Sequence, residues 1–174
     1  MNKILTILTL LIAQNCFAQN IIVYRPAMNL KIPVDGLNYY EERVPSKPYF
    51  VKDKKLQIYP GEKLFIEVEI KKDTIFSMNV VKANLFPERT ITINFSQKAN
   101  GNKSESMTFK MTNPFKKTLE CKALIYKVGQ KGWKTVTINP ILPNSVGSET
   151  WKDVVITMVI DKWKLNTVKE RSFY

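Results

Sequence analysis

The stretch Leu56–Ile70, LQIYPGEKLFIEVEI, alternates apolar and polar residues on both sides of a Pro-Gly turn. In extended backbone, successive side chains point to opposite faces. Leu56 and Ile58, then Leu64, Ile66, Val68 and Ile70, therefore each line one side of a strand. Gln57, Glu67, Glu69 and Lys71 line the other. Tyr59-Pro60-Gly61-Glu62 is the turn between them. The stretch reads as two strands, each with one buried face and one solvated, glutamate-bearing face.

The same period of two runs downstream. Ile91, Ile93 and Phe95 alternate with Thr90, Thr92 and Asn94, and Asn100-Gly101-Asn102 marks a hairpin connection to Met107, Phe109 and Met111. Asn113-Pro114 breaks that run, and Leu119, Cys121, Ala123 and Ile125 resume it. Residues 139 to 150 hold two prolines and a glycine and predict a longer exposed connection. In Val154–Ile160 both faces are apolar, with Val154, Ile156, Met158 and Ile160 on one side and Val155, Thr157 and Val159 on the other, which suits a central strand. No segment keeps the three-to-four spacing of an amphipathic helix, so any helix should be a single short turn.

Upstream, Pro26, Pro33, Pro45 and Pro48 interrupt Ile21–Tyr24 and Leu37–Val44, which predicts edge strands between residues 19 and 50. Before these lies Lys3, an apolar stretch Ile4–Ala13, and Asn15-Cys16-Phe17-Ala18 ahead of Gln19. This is the pattern of a secretory signal peptide over residues 1–18. The stretch Ile4–Ala13, ten residues long, is too short for a spanning helix, which needs about 20 apolar residues. Cys16 stands where bacterial lipoproteins are lipidated, but Ala13, Gln14 and Asn15 lack the Leu and the small residues of that signal, so the expectation is a cleaved, periplasmic or secreted chain with no transmembrane segment. Residues 19–174 have the length of one domain with a sizeable core, and no repeat or linker divides them.

Seven or more short strands with turn signals between them predict an all-β fold, an antiparallel β-sandwich in a single domain. Leu56–Ile70, with its Pro60-Gly61-Glu62 turn, and Phe109–Tyr126, with Thr112-Asn113-Pro114 leading into Leu119, resemble the immunoglobulin-like domains of exported bacterial envelope proteins. The resemblance implies an immunoglobulin-like layout and no functional residue. The chain departs from true immunoglobulin domains in lacking the cysteine pair that pins the two sheets: once Cys16 is removed, Cys121 stands alone on the apolar side of its strand. A buried thiol without a basic neighbour is inert.

The chemistry is bounded by an absence. With no histidine in the chain, Ser-His-Asp and Cys-His mechanisms and His-ligated zinc drop out. The glycines are scattered singly, so no phosphate loop or dinucleotide fingerprint exists, and no cofactor is expected. Glu67 with Glu69, or Glu41 with Glu42, are the nearest pairs for a carboxylate-based hydrolase of cell-wall carbohydrate, but Glu67 and Glu69 lie on a solvated face and Glu41 and Glu42 point opposite ways. The formal charge of +12 comes mostly from Lys, which favours weak attraction to anionic surfaces over the forked recognition of phosphates by Arg. No Arg-and-aromatic stripe supports specific nucleic-acid binding. Lysines cluster at predicted strand ends: Lys52, Lys54 and Lys55; Lys71 and Lys72; Lys116 and Lys117; Lys127, Lys131 and Lys134.

The reading is a non-catalytic exported binding protein of the cell envelope that meets a protein or anionic polymer through strand edges and basic or aromatic loops. Tyr39, Tyr40, Trp133, Lys116, Lys117, Lys131 and Lys134 are its candidate contact residues. A structural or assembly component of an envelope complex is the remaining alternative, and it predicts a sizeable exposed apolar patch.

Overall fold

A computed structural model describes residues 22–167; the expected signal peptide, with Cys16, lies outside them. The strands run β1 (Tyr24–Arg25), β2 (Met28–Pro33), β3 (Tyr39–Val44), β4 (Lys47–Pro48), β5 (Phe50–Lys52), β6 (Lys55–Ile58) and β7 (Lys63–Lys71) in the first half. They continue with β8 (Thr74–Val81), β9 (Thr90–Asn100), β10 (Lys103–Asn113), β11 (Thr118–Lys127), β12 (Lys134–Val136), β13 (Ser145–Trp151) and β14 (Val155–Asn166). The one helical piece among the described residues is the three-residue 3-10 turn Pro87–Arg89.

Two five-stranded antiparallel sheets pack face to face. Sheet I has the order β13-β10-β9-β7-β8, and sheet II the order β12-β11-β14-β6-β5. The alternating residues of Leu56–Val68 point into the space between them: Leu56, Ile58, Leu64, Ile66 and Val68 join Ile91, Ile93, Phe95, Met107, Phe109 and Met111 in one buried core. Each such side chain contributes about 1.5–3 kcal/mol on leaving water. Ile70 departs from the pattern and is exposed; it lies at a break in the β7–β8 register, where Glu69 pairs with Ser77 but Ile70 with Ile75.

Val155–Ile160 lies in the central strand of sheet II, as its two apolar faces require, and Val154 just precedes it. The period-two assignment of its faces fails at Ile156. Tyr126 pairs with Thr157 while Lys127 pairs with Val155, so Ile156 is an extra, bulged residue. The bulge turns Val155 inward beside Met158 and sends Ile156 to the opposite face. A second bulge, at Lys162 with φ of 55°, resets the alternation again and carries Trp163 into the core.

The proline-interrupted segment is not simply a row of edge strands. β2 and β3 form a hairpin of their own, outside both main sheets. Its Leu30, Ile32 and Val44 pack on Tyr59 and Ile156 in a second core, flanked by Tyr40, Tyr126 and Val128. Covering the outer face of sheet II this way explains why β14 is apolar on both sides. The hairpin tip is tied to the β9–β10 turn: Gly36 N–H donates to the Asn102 carbonyl at 3.1 Å, and Gln97 Nε2 to the Pro33 carbonyl at 2.8 Å. β1 pairs with β4, and only β5 of this region is an edge of a main sheet.

Candidate functional site

The seven predicted contact residues fall at two ends of the sandwich. β11 has ten residues, which at about 3.3 Å each separates its ends by roughly 30 Å. Lys116 and Lys117 precede it, whereas Lys131, Trp133 and Lys134 follow it, so these lysines do not make one cationic end. Lys117 is also paired with Asp73 at 2.9 Å. At the far end, Trp133 lies against Tyr126, ring centroids 5.7 Å apart, and Tyr126 packs on the same second core as Tyr40. Burial and the Glu42 carboxylate, which accepts from the Tyr40 hydroxyl at 2.6 Å, push the Tyr40 phenol up to about 12. Tyr40 is thus largely a structural residue. Tyr39 is exposed; its hydroxyl donates to Asn102 and Lys31 Nζ sits 4.1 Å from its ring.

The carboxylates named from the sequence are all partnered at the surface. Glu67 pairs with Arg89, and Glu41 with Lys31 at 2.8 Å. Glu69 pairs with Lys71 at 3.0 Å and accepts from Ser77 Oγ at 3.1 Å, and these two bonds hold its carboxyl below the ordinary range. A general acid needs the opposite shift. Among the described residues, no three His, Cys, Asp or Glu side chains stand close enough to hold a metal ion. Burial pushes the Cys121 thiol up to about 12, which leaves it protonated and unreactive at neutral pH.

The surface that sequence reasoning missed lies between the two edges on one side of the sandwich. A groove of about 490 Å³ runs between β5 and β8 and is lined by Ile22, Val23, Phe50, Val51, Phe76 and Met78, among others. Ile22 is 64% exposed, Val51 46% and Phe76 57%. Local geometry produces this exposure. Lys72 and Asp73, both at positive φ, make a two-residue hairpin turn into β8. Ile70 then pairs with Ile75 but Glu69 with Ser77, so Phe76 is a bulged residue turned out of the ladder. An equivalent bulge at Val51 interrupts β5. Lys54 Nζ caps the Ile75 carbonyl at 2.8 Å. Beyond the bulge, Ser77–Val81 pairs, among the described residues, with β7 alone.

No family model, curated protein or solved structure matches the chain. The site is therefore read from its own residues.

The groove went unseen because it is assembled from residues 22–23, 48–54 and 76–80, which are far apart in sequence. The bulge at Phe76 also breaks the period-two alternation that would have shown β8 as a strand. The turn Lys72-Asp73 between Ile70 and Ile75 was the available signal. No helix among the described residues is long and apolar enough to cross a membrane.

Proposed function

We propose that this protein is a non-catalytic exported binding protein of the bacterial cell envelope, with an immunoglobulin-like sandwich that takes an extended segment of a protein partner into the groove between β5 and β8. The observation that carries the reading is the conjunction of three exposed apolar side chains, Ile22, Val51 and Phe76, with the open main-chain edge Ser77–Val81. An added strand would gain main-chain hydrogen bonds from the edge and specificity from alternate side chains set into the groove. Exposed Lys52, at the end of β5, and exposed Lys72, in the β7–β8 turn, follow or precede the groove strands in sequence, so the partner segment is apolar at alternate positions and acidic at its flank.

The test is a photo-crosslinking amino acid placed singly at positions 51, 76 and, as a control on the outer face of sheet I, 110, in the full chain expressed in its host. A shared protein adduct at 51 and 76, absent at 110 and lost when Met78→Asp is added to the position-51 probe, supports the reading. Adducts at 110 matching those at 51 and 76, or none at either groove position, would overturn it.

A further inference from the structure

The four sheet edges are guarded unequally. β5 and β12 are three residues long, and β5 is bulged. β8 is bulged at Phe76 and capped by Lys54 only at its start, which confines its open edge to Ser77–Val81 beside the groove. Short length, bulges and lysines are the devices that keep exposed edges from pairing with other chains. β13 is neither short, bulged nor lysine-bearing, and its one guard is an inward-facing charge, Glu149. Its seven residues, Ser145-Val146-Gly147-Ser148-Glu149-Thr150-Trp151, pair with β10 in unbroken register from Asn113 to Met107 and have no strand on the other side among the described residues.

The side chains of β13 are sorted to leave that edge clear. Residues directly opposite each other share a face, so Ser145, Gly147, Glu149 and Trp151 lie with buried Asn113, Met111, Phe109 and Met107 on the inner side. Glu149, the only charge on the strand, is held there: one of its oxygens accepts from the Asn139 N–H and from Asn139 Nδ2, both at 2.9 Å. The outer side presents Val146, Ser148 and Thr150, all exposed and uncharged, with Val146 at 62%.

We infer that β13 is a self-association edge, joining two copies of this chain into one ten-stranded sheet about a two-fold axis at Ser148. A closed two-fold contact uses the same patch on both copies. With Ser148 facing its equivalent, the antiparallel register sets Val146 against Thr150 of the second copy, and Gly147 against Glu149. The outer face then gains two Val–Thr pairs of the β-branched kind that stabilise sheets, and the register keeps the two glutamates from standing opposite each other. No other register centred on an outer-face residue pairs all three outer positions. β13 is the opposite edge of sheet I from β8, so the dimer leaves the proposed partner groove free.

The experiment is sedimentation equilibrium on the full chain across micromolar concentrations, with oxidation of single-cysteine variants as a register readout. The expected results are a concentration-dependent dimer, its dissociation constant raised at least tenfold by Val146→Lys or Thr150→Lys with unchanged melting. In a Cys121→Ala background, which removes the half-buried native thiol, Ser148→Cys should give a disulfide-linked dimer and Val146→Cys should not. A monomer at high micromolar concentration, a dimer indifferent to both lysine variants, or equal crosslinking from positions 146 and 148 would each overturn the inference.

Discussion

Arg25 is the residue whose loss should cost the fold most for a single polar side chain. It is 1% exposed, on the short strand β1, and its Nε and Nη2 donate to the two Glu62 carboxylate oxygens at 2.7 and 3.0 Å. Nη2 also donates to the Gln57 carbonyl at 2.7 Å, and the guanidinium carbon lies 4.7 Å from the ring centroids of both Tyr49 and Tyr59. Glu62 in turn accepts from the Tyr59 N–H at 2.8 Å, so the pair fastens β1 to the turn between the sheets. Arg25→Ala leaves a carboxylate that is 11% exposed without its counter-charge and the Gln57 carbonyl without one donor. Breaking a buried pair this way costs about 3–5 kcal/mol, and at about 2–4 °C per kcal/mol for a domain of this size the melting temperature should fall by roughly 10 °C. Arg25→Lys keeps the charge but loses the fork, giving up at least one charged hydrogen bond, about 1.5–3 kcal/mol. The double variant Arg25→Met with Glu62→Gln, in which neither charge remains, should recover a large share of the single-variant loss. Urea unfolding of the four proteins measures these terms. A double variant no more stable than Arg25→Ala, or a loss below about 1 kcal/mol for Arg25→Ala, would show that the pair is not energetically coupled as its geometry requires.

Three further outcomes follow from the packing and titration of particular groups. Asn113 is buried, donates through Nδ2 to the carbonyls of Lys117, Ile141 and Leu142 at 2.8, 2.8 and 3.0 Å, and accepts from the Phe115 N–H. Asn113→Ala should therefore cost about 2–4 kcal/mol in urea unfolding, and Asn113→Asp at least as much, because a carboxylate would face three carbonyl oxygens. Gly147→Ala would place a Cβ 2.6 Å from Ile141 Cγ1 in the core, and a loss of about 1–3 kcal/mol is expected. Cys121 and Tyr40 both have their acid dissociation raised to about 12 in the fold, from 9.0 and 10.0. The folded state holds these protons more tightly than the unfolded chain, so their contribution is complete below pH 9.0 and is lost as pH climbs toward 12. Urea midpoints should fall between neutral pH and about pH 11, less steeply in Cys121→Ala, and the native thiol should resist alkylation that proceeds once the chain is unfolded.

What could be read from the sequence and what could not divide along one physical line. Leu56–Val68, Ile91–Phe95 and Met107–Met111 each keep a strict period of two, and each lies as predicted with its apolar set in the core. Where the backbone inserts a residue, the period carries no information about where the insertion falls. Ile156 is the clearest case: in a run apolar on both faces, a one-residue bulge exchanges faces without changing the pattern at all. Phe76 is the costlier case, because there the bulge hid both a strand and the groove beside it. Partnering is equally invisible. The proline-broken residues 28–44 gave no sign that they would lie over the outside of sheet II, although the doubly apolar run at Val154–Ile160 implied that something must cover it. Nothing in the spacing of Arg25 and Glu62 joins them, and the lysines that cluster in sequence are parted in space by the length of β11. Bulges decide which side chains a sandwich presents at its margins, and margins are where this protein has its open edges. The features that locate its candidate surfaces are therefore the ones a periodic reading is least able to supply, while the core that supports them is the part it supplies best.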